Sequence, residues 1–171
     1  MFRNSSHTNF WSFQEIITYV RYISVYYQKL VWDRASNLIY IFMKKIILVE
    51  DDTFLSKMYF EKLHHAGNFT VYSVESGQKA LSLIQEVVPD LVLLDIILPD
   101  MNGIKILQMM KKDSKLKSTP VLMLSNLNER EYINEALSLG AAGYLIKAHF
   151  TPNEVVDKIK QLLRANDDSG K

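Results

Sequence analysis

From position 43 onward, short apolar runs alternate with longer stretches in which apolar residues recur at helical spacing. The runs cover 46–49, 70–74, 91–94, 121–124 and 143–146. Several are apolar at every position, as expected for parallel strands covered on both faces. The stretches between them carry helix signals. The first spans about 53–66 and stops at Gly67. The second starts near Ser76, carries Ala80, Leu83, Ile84 and Val87, and ends before Pro89. The third follows Asn102-Gly103 with Ile104, Leu107 and Met110. The fourth is predicted to begin at Asn128, with Glu131 completing a capping box, and to end at Gly140. The fifth begins at Thr151, with Pro152 at the first helical position and Glu154 closing a second box. Five βα units in this length predict an α/β fold, a doubly wound five-stranded parallel sheet with right-handed crossovers.

In such sheets, sites form beyond the carboxyl ends of the strands. The predicted strands end in Glu50-Asp51-Asp52, Asp95, Ser125-Asn126 and Lys147, so the chemically active side chains collect on one edge. Taken singly, each has a structural explanation. Carboxylates cap helix N-termini, Asp95 can be a strand-to-loop acid, Ser125 a turn residue and Lys147 a solvated cation. Together they imply more. The first and third strands are neighbours at the switch point, and carboxylates converging there repel unless a cation holds them. Oxygen ligands suit Mg2+, which keeps part of its shell free for phosphate. No His or Cys is placed to favour zinc. Lys147 can pair with an anion and Ser125 can donate to a phosphoryl oxygen. Asp52 is expected to serve the start of the next helix. No G-x-x-x-x-G-K-[ST] loop is present, which argues against an ATP-using enzyme.

Composition narrows the field. The 171 residues are 48% hydrophobic, enough for a core, and the net charge of +1 offers no electrostatic case for nucleic acid or membrane. With no cysteine, disulfides and thiolate chemistry are excluded. Residues 1–42 differ from the rest, being rich in Phe, Trp and Tyr without a clean periodicity. Polar residues leave no signal-peptide layout and no stretch of ~18 uninterrupted apolar residues. This segment reads as an extension outside the natural protein, with Met43 as the expected initiator. A packing or pairing helix and an interfacial helix are the alternatives.

The segments "ILVEDD", "LVLLDIILPDMNG", "PVLMLS" and "AAGYLIKA" make residues 43–166 resemble a response-regulator receiver domain of two-component signalling, leaving 167–171 as a disordered tail. The resemblance implies a flavodoxin-like (βα)5 fold. It implies that Asp95 takes a phosphoryl group from a phosphohistidine, and that Glu50, Asp51, Asp95 and the backbone carbonyl of Ile97 hold Mg2+. It further implies that Lys147 pairs with the phosphoryl group, that Ser125 moves to bond it, and that Tyr144 turns inward as the switch aromatic. The partners would be a sensor histidine kinase or a histidine phosphotransfer protein in the cytoplasm, with no direct nucleic acid and no membrane. The protein would be a phosphoacceptor rather than an enzyme on a separate substrate.

Three positions depart from the family pattern. Ala148 follows Lys147 where proline, with a cis bond, is usual, so the lysine connection either keeps that bond or takes another path. Asn126 is larger than the small residue often found after the serine, and is expected to narrow access to the phosphoryl group. Ile97 has no polar side chain to position a hydrolytic water, so slow self-dephosphorylation is expected. The expected function is a single-domain response regulator, signalling through the surface around the fourth helix, fifth strand and fifth helix. A phosphorelay intermediate, an aspartyl-phosphate phosphatase and a non-phosphorylated pseudo-receiver are the alternatives. Ile97 stands where the phosphatase would need a second aspartate. His64 and His65 are neighbours that share no helix face, so they are read as helix-end residues rather than metal ligands.

Overall fold

The computed structural model describes residues 43–67 and 69–169, together with the isolated Gln14. The chain divides into two units, 1–42 and 43–171. The expected extension at 1–42 and the last residues of the expected tail, 170–171, lie outside the described residues.

The elements follow the predicted alternation. They are β1 (Lys44–Val49), α1 (Thr53–His65), β2 (Phe69–Val74), α2 (Gly77–Val87), β3 (Leu91–Leu94) and α3 (Gly103–Lys112). Then come β4 (Val121–Ser125), α4 (Arg130–Ser138), β5 (Gly143–Ile146), a 3-10 turn (Lys147–His149) and α5 (Pro152–Ser169). The strands form one parallel sheet in the order β2-β1-β3-β4-β5. The order reverses beside β1, so β1 and β3 lie at the switch point where ligand crevices form.

Strand side chains point to alternate faces, and both faces are covered. Ile47 and Val49 of β1 join Val92, Leu94 and Met123 beneath α2, α3 and α4. Ile46 and Leu48 join Leu91, Leu93 and Leu124 beneath α1 and α5. Fully burying each such side chain contributes ~1.5–3 kcal/mol, which is why the runs read as apolar throughout.

The helix ends show the local chemistry. Asp52 caps α1, accepting from the Phe54 and Leu55 N–H groups at 2.9 Å each. Asn102 caps α3 through the Ile104 N–H at 2.8 Å. The Thr151–Glu154 box forms, with Glu154 Oε2 accepting from both the Thr151 N–H and hydroxyl at 2.8 Å. The box predicted at Asn128 does not form. Helix α4 begins at Arg130, because the Glu129 carboxylate takes the Asn128 N–H at 3.0 Å and the Glu129 carbonyl takes the Ile133 N–H. Helix α5 runs on to Ser169, past the expected start of a tail at 167, since no glycine or proline interrupts it before Gly170.

Candidate phosphoacceptor and metal site

The sheet register brings the site together. Val49 is paired with Leu94, so the next residues, Glu50 and Asp95, emerge side by side. The Asp95 N–H donates to the Val49 carbonyl at 3.0 Å, and the Glu50 N–H to the Val74 carbonyl at 3.0 Å. Ser125 is paired with Ile146, which sets Lys147 one step beyond. Glu50, Asp95 and Ser125 are all buried polar residues.

Ligand oxygens of Glu50, Asp51 and Asp95 lie within 4.8 Å of one another. Glu50 and Asp95 are buried while Asp51 is exposed. Lys147 closes the group. Its Nζ donates to Asp95 Oδ2 at 2.7 Å and lies 2.6 Å from Glu50 Oε2. Burial raises the Glu50 carboxyl above its usual value, and the lysine only partly offsets this. Burial would depress the Lys147 ammonium, but its bonds to Asp95 and Glu50 outweigh that and hold it above the usual value. The lysine therefore stays charged among the acids.

The other oxygen of Asp95, Oδ1, accepts from the Ile96 N–H at 2.6 Å and the Ile97 N–H at 3.3 Å. These bonds turn the carboxylate so that Oδ2 faces Lys147. Gly103 fixes the same loop. Its N–H donates to the Ile96 carbonyl at 2.8 Å, and a methyl in its place would collide with the Asp95 carbonyl oxygen.

Ser125 Oγ is buried and has no hydrogen-bond partner. An unmade bond of this kind costs ~1–3 kcal/mol, so a hydroxyl kept there without a partner suits a ligand oxygen. Tyr144, half-buried, donates its hydroxyl to the Leu127 carbonyl at 2.8 Å, joining β5 to the loop that follows Ser125. Burial raises its phenol above the ordinary value, and the nearby Ser125 hydroxyl, without a hydrogen bond of good geometry, partly offsets this.

The connection after Lys147 takes its own path. The described residues contain no cis peptide bond, and Lys147–His149 form a 3-10 turn instead. Lys147 still reaches both acids from it. Asn126 and Ile97 are exposed at the rim. His64 and His65 lie outside the site. His64 stacks on Phe60, and His65 Nδ1 is 2.7 Å from the Glu61 carbonyl.

Oxygen donors from three acids, without His or Cys among them, make a hard-cation site. The donor set, with the buried serine at the end of the neighbouring strand, therefore fits Mg2+ with a phosphoryl group. The profile of the Response regulator receiver domain family matches residues 46–160. The chain belongs to that family. This receiver domain is 36% identical over 125 residues to the DNA-binding response regulator MtrA of Mycolicibacterium paratuberculosis, a match covering 73% of this chain and 53% of the relative. It is 33% identical over 121 residues to the phosphate regulon transcriptional regulatory protein PhoB of Pseudomonas aeruginosa, covering 71% and 52%. The chain thus spans about half the length of these curated relatives. Among solved structures, a putative response regulator from Chloroflexus aurantiacus superposes with TM-score 0.66 at 29% identity, covering 71% of this chain and 98% of that one. The chemotaxis response regulator CheY4 of Vibrio cholerae gives 0.65 at 28%, covering 70% and 98%. As a receiver domain, the chain has the five-stranded flavodoxin-like fold expected of it, and no helix among the described residues is long and apolar enough to cross a membrane.

One feature of the receiver was not legible in the sequence. The Asp100 carboxylate accepts from the Gly77 N–H at 2.7 Å and the Gln78 N–H at 2.8 Å, capping α2 from another loop. Asp100, Asn102 and Gly103 look like loop residues in sequence, and only the local cap of Asn102 has a sequence signal.

Proposed function

We propose that this receiver takes a phosphoryl group from a histidine kinase or phosphotransfer protein onto Asp95, in a Mg2+-dependent reaction. The observation that supports it most is the convergence of Asp95 with Glu50, Asp51, Lys147 and the unpartnered Ser125 hydroxyl at one strand edge. An oxygen of Asp95 attacks the phosphorus, the P–N bond to the donor imidazole breaks, and its electron pair leaves with the imidazole nitrogen. The product is an acyl phosphate. Lys147 neutralises charge on the transferring group, and Ser125 donates to one of its oxygens. Glu50, Asp51, Asp95 and the Ile97 carbonyl are the residues that would hold the metal. When bound, Mg2+ lowers the repulsion between the carboxylate and the incoming phosphate dianion.

The signal then passes through Ser125 and Tyr144. Ser125 moving toward the phosphoryl group draws on the loop that carries Leu127, and Tyr144 follows because its hydroxyl is bonded there. The surface of α4, β5 and α5 changes and a protein partner reads it. The chain acts as a cytoplasmic signalling protein in a single-domain form. The mass of the protein from its native source separates that form from one joined to an output domain. Relatives named as DNA-binding carry that activity in their own longer chains. A phosphorelay intermediate differs by one observation, return of the group from Asp95 to a second histidine protein.

Borohydride reduction tests the acceptor. After reaction with acetyl phosphate and Mg2+, position 95 should read as homoserine in peptide sequencing. Homoserine at another aspartate would overturn the assignment.

A further inference from the structure

We propose that Asp100 is a positioning residue of the metal site, acting by fastening the loop that carries Asp95 and Ile97 to the N-terminus of α2. The inference rests on the reading that this loop and Glu50 and Asp51 hold Mg2+.

Helix α2 lacks an ordinary cap. Ser76 occupies the cap position in extended conformation, yet its side chain makes no cap bond. Free N–H groups at a helix start need an acceptor. Asp100 supplies both, one oxygen to Gly77 and the other to Gln78, across 23 and 22 residues of sequence. The bonds hold its carboxyl below the usual aspartate range, the Gln78 N–H contributing most and the Gly77 N–H next.

A second contact reinforces the first. The Met101 side chain occupies the space where a side chain on Gly77 would lie, with Ile106 beside it. The glycine thus lets the loop sit directly on the helix turn that Asp100 caps.

The consequence lies in what is left between the fixed points. At its root, the loop is held by the Gly103 N–H bond to Ile96 and by the close approach of Gly103 to the Asp95 carbonyl. The Ile97 side chain is exposed, so its backbone is held on that side only by the N–H bond to Asp95 Oδ1. Of the residues between Ile96 and Asp100, only Leu98 is buried. The Ile97 carbonyl is thus set between the Ile97 N–H bond to Asp95 and the buried Leu98, and the polar anchor that holds the far side of Leu98 is Asp100, three residues on. Outer groups that orient metal ligands commonly change affinity ~10–100-fold when removed. Here one ligand among several is affected, so an effect of ~3–30-fold is expected.

The test is calorimetric titration of the full chain with Mg2+ alone, comparing wild type, Asp100→Ala, Asp100→Asn and Gly77→Ala. Amide exchange at Gly77 and Gln78 and thermal unfolding are followed alongside. Asp100→Ala should bind Mg2+ ~10-fold more weakly at temperatures far below its unfolding midpoint. Asp100→Asn, keeping one acceptor oxygen, should fall between it and wild type, and Gly77→Ala should also weaken binding. Phosphorylation by acetyl phosphate at saturating Mg2+ should recover to near the wild-type rate. Exchange of the two amides that accelerates while the Mg2+ dissociation constant stays within twofold of wild type would overturn the inference. Should Asp100→Ala not fold, Asp100→Asn decides it by the same comparison. A wild type that binds no Mg2+ would overturn the metal reading itself, and this inference with it.

Discussion

Lys147 Nζ lies 2.7 Å from Asp95 Oδ2, and both side chains are more than nine-tenths buried. A buried pair is costly to form, but removing one member leaves the other charge without compensation. Glu50, 2.6 Å from the same ammonium, would share that exposure to unpaired charge. Lys147→Met is therefore expected to lower unfolding stability by ~3 kcal/mol in the absence of metal. Added Mg2+ should restore more stability to the variant than it adds to wild type. Urea melts with and without Mg2+ read both effects, and equal melts for the two proteins without metal would show that the pair contributes nothing.

Ser125→Ala should behave oppositely in the two states. Its hydroxyl makes no hydrogen bond of good geometry, only a looser approach to the Tyr144 hydroxyl, so the unphosphorylated protein should keep its stability or gain up to ~1 kcal/mol. With beryllofluoride and Mg2+, wild type should gain more thermal stability than the variant. A loss of stability in the free Ser125→Ala protein would mean that the hydroxyl is bonded in solution.

Asn126 is exposed directly after Ser125, at the rim of the site. Trimming it should widen the approach for water, so Asn126→Ala is expected to shorten the phosphoryl lifetime severalfold. Decay of the phosphorylated mass after removal of the donor measures this. An unchanged lifetime would remove Asn126 from the account.

Asp100 predicts a pH dependence at the start of α2. Its carboxyl is held below the usual value of 3.8 by the N–H groups of Gln78 and Gly77. Because the folded value is the lower one, the contribution of the cap is present above the unfolded value and is lost as pH falls through the folded one. The amide proton shifts of Gly77 and Gln78 should titrate with a midpoint below 3.8. A midpoint at or above it would mean the carboxylate does not accept those bonds.

Most of the architecture was legible because it is written in local patterns. Runs such as 46–49 and 91–94 had to be covered on both faces, and Asp52, Asn102 and Thr151 had the right residue types one step before a helix. The edge that gathers Glu50, Asp95, Ser125 and Lys147 followed from strand ends alone. What was missed depends on residues far apart or on competition between near neighbours. Asp100 caps a helix that precedes it, and nothing in the α2 sequence announces an acceptor from the next βα unit. Asn128 looked like the better cap, but its N–H is taken by the Glu129 carboxylate rather than by Glu131. Val88 takes a left-handed conformation, with φ of 47°, at the end of α2. A β-branched residue disfavours that region, and only Pro89 next to it hinted at the break. The Lys147 connection left two paths open in sequence, and the 3-10 turn is the one the chain takes.

Intact mass after incubation with acetyl phosphate decides whether Asp95 is the phosphoacceptor. Wild type with Mg2+ should gain the mass of one phosphoryl group, and chelation of the metal should prevent the gain. Asp95→Asn should gain nothing under the same conditions. Equal phosphorylation of Asp95→Asn and wild type, or no gain in wild type even with a phosphorylated histidine donor, would contradict the assignment of Asp95 as phosphoacceptor.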